Sequence, residues 1–350
     1  MRFFINLFSL YIMTHLHILS KTIGLPGTIS GVLNNIRKQQ KFLGQYIAPI
    51  LKDAISNNDG SLGDADIKKI NGYYGLAVPA ILGEAFCVLH GNEMSLAARW
   101  ASTCQGAMTG LFDDFFDKDY LSDDAVEQLI KIDKTLTTTR SNQKLFDIFY
   151  KKALENAPDK KLLQDALFDV YKAQVESKKQ EAGGLSTEEL KRITFYKGGS
   201  SALFYHTVFS PEAIGKEKKL LYDLGAVMQL ANDIFDVYKD REAGIQTLVT
   251  DETHIGKLRS LFSNKLKEHY TDAFNLGYPQ KNTHKFLNIL SIGIFSRCFV
   301  CLDQLEQNEK LTGNVFDVKK YSRQQLICDM DTKMNMLRSA KKHVAEVPWR

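Results

Sequence analysis

Residues 220–241 read LLYDLGAVMQLANDIFDVYKDR, and the predicted fold class and site both start from this stretch. It contains no proline and one glycine, and its apolar residues are typical of a long, partly buried α-helix. Asn232, Asp236 and Asp240 recur every fourth residue, so on a helix they stack on one face, about 5–6 Å apart at each step. Three oxygen-bearing side chains on a half-buried face cost free energy unless a cation binds them. A hard divalent cation such as Mg²⁺ prefers oxygen ligands, so the stretch predicts a metal site.

A second acidic cluster, DDFFD at residues 113–117, ends another apolar run. Asp113 and Asp117 stand four residues apart, which places them on one helix face where they could bridge two metal ions, with Asp114 beside them. Residues 108–112 are small or apolar, so we expect the cluster at the lip of a pocket. Each cluster has a plainer interpretation as a solvated, acidic helix end. Two such clusters in one chain favour opposed acidic faces that hold metal ions and a diphosphate.

The rest of the chain predicts one large all-α domain. Of its 350 residues, 44% are hydrophobic and 25% are charged, which suffices for a large core. The sequence has only seven prolines, no Pro- or Ser-rich linker, no alternating strand pattern and no fixed-period repeat. Apolar periodicity and helix breakers predict about 10–12 helices, with Ser122 and Ser186 as N-caps. Their expected ranges are 30–55, 64–90, 95–118, 122–138, 141–157, 160–180, 186–209, 210 to the second cluster, 250–276, 280–307 and 316–344.

Charge and cysteine content favour a cytoplasmic protein that does not bind nucleic acid. The net charge of +4 is small and spread over both signs, unlike the basic patch of a nucleic-acid-binding protein. Five scattered cysteines do not resemble a disulfide framework, so a reducing compartment is expected. Cys298 and Cys301 form a C-x-x-C in apolar surroundings. We interpret them as core cysteines rather than as a metal or redox pair.

Residues 1–20 are interpreted as an apolar N-terminal extension, and residues 21–350 as the domain. The extension begins with Arg2 and contains two histidines, so it is too polar and too short for a membrane-spanning helix. Three interpretations stay open: a core helix or dispensable extension, a weak targeting segment, and a start codon assigned too early, with Met13 as the true start. No later segment reaches about 18 uninterrupted apolar residues, so we expect no stable membrane insertion.

The two acidic clusters together resemble the metal-binding motifs of class I isoprenoid synthases. This helical superfamily includes terpene cyclases, prenyl diphosphate synthases and squalene/phytoene synthases. The first cluster matches Asp-Asp-x-x-Asp, and the second is similar to the cyclase pattern Asn-Asp-x-x-Ser-x-x-x-Glu, with Asp236 for Ser and Asp240 for Glu. Both replacements keep an oxygen ligand, whereas Asp233-x-x-Asp236 also resembles the second motif of prenyl diphosphate synthases. The resemblance covers residues 73–325 and implies a helical bundle around a central apolar cavity.

Residues around the second motif extend the resemblance. Residues 174–204 resemble the stretch before the second motif in prenyl diphosphate synthases. Lys197 matches the lysine that binds the allylic diphosphate there, and Gln229 matches the glutamine before the second motif. Arg192 lies 40 residues before Asn232, close to a diphosphate-sensing arginine of cyclases. Exposed helix charges are the alternative interpretation for Arg192 and Lys197. Other positions that resemble diphosphate-binding residues of cyclases are Lys239, Arg241, and Lys320-Tyr321 or the adjacent Arg323.

Missing arginines favour a one-substrate reaction. Chain-elongating synthases bind isopentenyl diphosphate through an Arg-Arg after the first motif and a Gly-Lys-x-x-Arg near the N-terminus. Here KDYLSDD follows Asp117, and residues 71–75 read NGYYG. The resemblance therefore implies a Mg²⁺-dependent terpene synthase that ionises one prenyl diphosphate. A prenyl diphosphate synthase, a squalene/phytoene-type prenyltransferase and a non-catalytic isoprenoid-binding subunit remain alternatives.

The resemblance also implies how such a reaction would be assembled. Three Mg²⁺ ions would be held by Asp113, Asp114, Asp117, Asn232, Asp233, Asp236 and Asp240, with Lys197, Arg192, Lys239, Arg241 and Gln229 around the diphosphate. Aromatic faces in a dry cavity would stabilise the carbocation, although ordinary core packing is the alternative for each. Helical synthases of this kind are often homodimers, and peripheral contact with a membrane is compatible with the substrate. The candidate lining residues are Phe112, Phe116, Tyr73, Tyr74, Phe195, Tyr196 and Phe235.

Overall fold

The computed structural model describes residues 2–117, 121–131, 138–211 and 214–348. For residues 2–20, 117 and 214 it describes the backbone and not the side chain. Every regular element within these ranges is helical, which confirms the predicted all-α class. The α-helices are α1 (Arg2–Phe42), α2 (Ala48–Ser56), α3 (Asp64–Lys68), α4 (Tyr74–Ala77), α5 (Glu84–His90), α6 (Leu96–Asp117), α7 (Asp123–Ile130), α8 (Ser141–Asn156), α9 (Lys160–Ser177), α10 (Lys179–Ala182), α11 (Thr187–His206), α12 (Ile214–Phe235), α13 (Val237–Ala243), α14 (Ile255–Asn275), α15 (Gln280–Leu290), α16 (Ser296–Leu311), α17 (Arg323–Leu326) and α18 (Lys333–Ala345).

Several α-helices are joined by π-helical turns rather than by loops. The turn Val78–Gly83 contains Pro79, whose missing N–H and bulky ring disfavour regular α-helical bonding at this point. The helix continues through this turn to His90. Similar turns at Leu43–Ile47, Lys69–Tyr73 and Ser291–Phe295 connect α1 to α2, α3 to α4 and α15 to α16.

The predicted N-caps Ser122 and Ser186 are confirmed, whereas the predicted helix start at residue 30 is wrong, because α1 runs from Arg2 through it. The Ser122 side chain accepts a hydrogen bond from the backbone N–H of Ala125, and Ser186 forms the expected capping box with Glu189. The prediction of one helix over residues 316–344 is wrong. Asp317, Ser322 and Thr332 each precede a short separate helix there. The Asp317 and Thr332 side chains accept hydrogen bonds from nearby backbone N–H groups, and the Ser322 N–H donates to Gln325 Oε1, so these residues favour turns over a continuous helix. Residues 132–137 of the predicted helix 122–138 lie outside the described residues.

In the core, α11 packs between α9 and α12. Gly198 on α11 meets Gly225 on α12, and a Cβ atom built at Gly198 would lie 2.0 Å from the Gly225 carbonyl oxygen. Glycine at both positions therefore permits a backbone approach that no other residue would allow. This contact fixes the two helices that carry Lys197 and Asp233 against each other.

The N-terminal helix packs against the C-terminal segment. The α1 backbone runs through the expected boundary at residue 20 without a break. Buried Lys21 donates hydrogen bonds from Nζ to the carbonyl oxygens of His343, at 3.0 Å, and Val347, at 2.6 Å. Burial lowers the pKa of Lys21 to about 8.

Within the described residues, two helical stretches are long enough and apolar enough to cross a membrane. They are Asp64–His90 and Gln280–Leu311, and most of each is buried inside the structure. Buried core helices meet the same criteria, so these stretches do not by themselves indicate insertion.

Candidate functional site

The second acidic cluster lines a cleft of about 100 Å³ at the C-terminal end of α12. The cleft is formed by α9 to α13 and by the segment that follows α13. Its polar lining is rich in oxygen atoms, and Lys197 and Lys239 supply the cations. The lining residues are Ser177, Gln180, Glu181, Thr194, Lys197, Gln229, Asn232, Asp233, Asp236, Lys239, Asp240, Ile245 and Thr247.

A small irregularity at Asp236 leaves the predicted stacking of the three oxygen-bearing residues intact. The helix α12 ends at Phe235, and Asp236 has φ −89° and ψ 7° before α13 begins. The Asp236 N–H still donates to the Asn232 carbonyl oxygen at 2.8 Å, and the Asp240 N–H donates to the Asp236 carbonyl oxygen at 2.9 Å. Because the i to i+4 bonding continues across the break, all three residues border the same cleft.

Two carboxyl groups of this cluster are buried with little compensating charge. Burial raises the pKa of Asp233 to about 6, against hydrogen bonds from Gln229 Nε2 at 2.9 Å and Thr194 Oγ1 at 3.1 Å. Burial, followed by the nearby charges of Asp233 and Asp236, raises the pKa of Asp240 to about 7. The ionised forms are therefore costly without an added positive charge.

Lys197 supplies a positive charge to this cleft from the neighbouring helix α11. Its charge lowers the pKa values of Asp233, Asp236 and Asp240, against the larger effect of burial. Among the residues that the structure describes, Lys197 forms no ion pair. The close approach of Gly198 to α12 positions it, because the lysine is the preceding residue. A cation that is near three acids and bonded to none is well placed to contact an anionic ligand.

The first acidic cluster is paired with protein groups. Asp113 accepts a hydrogen bond from Gln174 Nε2 at 2.7 Å. Asp114 is buried and forms an ion pair with Lys69 Nζ at 2.7 Å. The side chain of Asp117 lies outside the described residues.

Helix α9 links the two clusters. Gln174 contacts Asp113, and Ser177, one turn further along α9, lines the cleft of the second cluster. Residues three apart on a helix are neighbours, roughly 5–6 Å apart. The two acidic clusters are thus connected through one turn of α9, which contacts one cluster and borders the cleft of the other.

Tyr74 is close to both clusters. The charge of Asp113, then burial, and also the charges of Asp236 and Asp114 raise the pKa of the Tyr74 phenol well above its ordinary value. Acids of both clusters therefore contribute to the electrostatic surroundings of this one side chain. Tyr74 is not among the residues that line the cleft of the second cluster.

The other predicted diphosphate-binding residues divide into two groups. Gln229 lines the cleft, where it bonds to Asp233, and the exposed Lys239 lies at its rim, 4.0 Å from Asp236. Arg192 instead points its guanidinium at Glu176, with Nη2 2.6 Å from Oε1. Arg241 donates to the carbonyl oxygens of Val318, at 3.1 Å, and Tyr321, at 2.6 Å, so it holds the C-terminal segment in place.

The predicted aromatic lining residues are not among the described residues that line the cleft of the second cluster. The buried ring of Phe112 contacts Phe116 and Phe146, with centroids 5.4 and 5.9 Å away. Lys265 lies over the Phe195 ring, and Tyr73 is exposed by 67%. Tyr196 and Phe235 are partly buried.

Sequence reasoning missed some partners of the acids. Lys69 on Asp114 and Thr194 on Asp233 are separated from their partners by 45 and 39 residues, and no local motif marks either contact. Gln174 did belong to a stretch that resembles prenyl diphosphate synthases, and this was the available signal for its contact with Asp113.

Comparison of the chain with known protein families, with curated proteins and with solved structures gives no match. The chemistry of the site therefore rests on its residues. The buried oxygens of Asp233 and Asp240, with their raised pKa values, form a donor set that fits Mg²⁺. Asn232 and Asp236 extend this set along the same face.

Proposed function

We propose that this chain is a Mg²⁺-dependent class I terpene synthase, which ionises a prenyl diphosphate and then cyclises or deprotonates the carbocation. The observation that supports it best is the arrangement around α9. One turn of this helix contacts Asp113 of the first cluster and borders the cleft of the second. Together with the resemblance of both motifs, this arrangement favours one site that uses both clusters.

Residues of the two clusters and their neighbours would each have a task in this reaction. Mg²⁺ held by Asp113, Asn232, Asp236 and Asp240 would neutralise the diphosphate and make it a better leaving group. Lys197 would bind diphosphate oxygens, because its ammonium group is near the acids and not bonded to them. Thr194 and Gln229 hold Asp233 in a fixed orientation. Acids of both clusters raise the pKa of Tyr74, and its ring would stabilise a nearby carbocation.

One contact favours the alternative, a chain-elongating prenyl diphosphate synthase. Lys69 is paired with Asp114 beside the first cluster, where a second diphosphate would need a cation. A single lysine is less than the several arginines such enzymes use, so we rank this activity second.

The experiment that tests the proposal measures diphosphate release from geranyl, farnesyl and geranylgeranyl diphosphates. Each is incubated with the full chain and Mg²⁺, with and without isopentenyl diphosphate, and products are identified by mass spectrometry. We expect Mg²⁺-dependent release of diphosphate and a hydrocarbon or alcohol product without isopentenyl diphosphate. Release only with isopentenyl diphosphate would support the chain-elongating alternative, and no release from any substrate would refute both enzymes.

A pair of lysine variants ties the activity to the cleft. Lys197→Met should lower diphosphate release by at least about tenfold, because it removes a charge near the leaving group. Lys161→Met is the matched control, since Lys161 is exposed by 81% and pairs only with the surface residue Asp165. Equal activity of the two variants would remove Lys197 from the site.

A further inference from the structure

A buried cluster of His90, His206 and Glu217 lies at the opposite end of α12 from the acidic cleft. The Glu217 Oε1 atom is 2.9 Å from His90 Nε2, and Oε2 is 2.9 Å from His206 Nε2. These ligand atoms all lie within 4.8 Å of one another. Glu217 precedes Asp233 by 16 residues on one continuous helix, or roughly 24 Å at 1.5 Å per residue. The cluster is therefore separate from the proposed active site.

The three side chains come from three separate parts of the chain and are almost fully removed from solvent. His206 and Glu217 have no exposed side-chain area, and His90 retains 8%. Apolar rings pack beside the cluster, with the Phe86 ring centroid 4.9 Å from that of His206. A carboxylate in such surroundings is costly unless positive charge or several donors accompany it.

Helix ends at the cluster favour a cation between its ligands. His90 is the last residue of α5, and His206 is the last residue of α11. Each helix directs the negative end of its dipole toward the cluster, which stabilises positive charge there. Glu217 lies in the first turn of α12, where the opposite end of a helix dipole stabilises its carboxylate.

We propose that His90, His206 and Glu217 form a structural Zn²⁺ site. Two imidazole nitrogens and one carboxylate are a donor set that zinc commonly takes, at bond lengths of about 2.0–2.2 Å, and a water molecule would fill the fourth position. Ligand atoms around one tetrahedral zinc ion then stand about 3.3 Å apart. His90 Nε2 and His206 Nε2 each lie 2.9 Å from a different oxygen of Glu217, and the ligand atoms lie within 4.8 Å of one another, so small side-chain rotations would bring them to this spacing.

Tyr278 supplies the support that such a site needs outside its ligands. Its hydroxyl donates a hydrogen bond to Glu217 Oε1. Groups that bond to a ligating carboxylate fix its orientation and raise metal affinity. Because the ligands are buried, we assign the ion a role in holding α5, α11 and α12 together rather than in catalysis.

The test uses the full chain, produced without a polyhistidine tag, stripped with a chelator and titrated with Zn²⁺. A large excess of Mg²⁺ occupies the oxygen-rich cleft throughout. We expect one equivalent of zinc to remain after gel filtration, and Co²⁺ in its place to give the visible absorption of a four-coordinate ion. A chain that retains no zinc and gives no such Co²⁺ spectrum would overturn the proposal, leaving the cluster as hydrogen bonds alone.

Variants identify the ligands. His206→Gln keeps a hydrogen-bond donor close to the Nε2 position but replaces the imidazole, and it should weaken zinc binding by at least about tenfold. His90→Gln, at the more exposed ligand, gives the same test if His206→Gln does not fold. His254→Gln is the matched control, because His254 also contacts a glutamate, Glu309 at 3.3 Å, but is half exposed. Unchanged zinc affinity in folded His206→Gln or His90→Gln protein would refute the assignment.

Discussion

The two ends of α12 bury acids in opposite ways. At the N-terminal end, burial alone would raise the pKa of Glu217, but hydrogen bonds from His206, His90 and Tyr278 lower it to about 2. At the C-terminal end, burial raises the pKa of Asp240 to about 7, and the neighbouring acids add to the effect. Burial is similar at both ends, so the number of hydrogen-bond donors decides whether the pKa of the acid is raised or lowered. At the C-terminal end, where Asp240 lacks such donors, an added cation would compensate the buried carboxylates.

The largest expected effect concerns the well-compensated end. Glu217→Gln should lower the free energy of unfolding by about 3–5 kcal/mol in chelator-treated protein, because it leaves buried donors without their carboxylate. Urea unfolding, followed by circular dichroism, measures this loss. Glu188→Gln is the control, since the Glu188 side chain is 83% exposed on α11, and we expect a change within about 0.5 kcal/mol. A loss below about 1 kcal/mol at Glu217 would show that its donors do not stabilise the fold.

The next largest effect concerns the C-terminal end of α12, and it is measured as the rate of diphosphate release. Asp240→Asn should reduce diphosphate release by about 10²–10³-fold, because a neutral amide is a weaker Mg²⁺ ligand and stabilises less charge in the transition state. Steady-state rates at saturating Mg²⁺ measure the loss. Asp165→Asn on the exposed face of α9 should leave the rate unchanged. A rate for Asp240→Asn within twofold of the original would separate this end of α12 from the chemistry.

Local sequence patterns predicted the elements on which this comparison depends. The spacing of Asn232, Asp236 and Asp240 predicted a shared face, and backbone bonding keeps them on it despite the break at Asp236. The caps at Ser122 and Ser186 were likewise predictable, because a cap is a contact between residues only three apart. Caps and shared helix faces depend on residues within one or two helical turns of each other, and a local sequence pattern covers the same range.

Contacts between distant residues could not be predicted in the same way. The cluster of His90, His206 and Glu217 has no motif spacing, because helix packing rather than local structure brings its members together. The meeting of Gly198 and Gly225 is also a property of two helices, and either glycine alone resembles an ordinary weak point in a helix. The failed prediction over 316–344 has a different origin, since it gave more weight to apolar periodicity than to the N-cap residues that begin each short helix.

The smallest expected effect is a gain in stability from the same substitution that removes activity. The pKa of Asp240 is about 7 in the folded chain, above its ordinary value of 3.8. Between these pH values the folded state holds more protons than the unfolded state, so this group lowers the free energy of unfolding as the pH rises. Asp240→Asn avoids this loss. Without Mg²⁺, the free energy of unfolding of this variant should exceed that of the original chain by on the order of 1 kcal/mol at pH 8.

The pH and Mg²⁺ dependence of that gain separates its cause from a general packing effect. The difference in unfolding free energy between Asp240→Asn and the original chain should be near zero at pH 4, grow up to about pH 7 and then level off. Saturating Mg²⁺ should shrink it, because the ion stabilises only the ionised carboxylate. Urea titrations at several pH values, with and without Mg²⁺, measure this difference. A gain that is constant from pH 4 to pH 8 would show that the charge of Asp240 is not what makes this end of α12 costly.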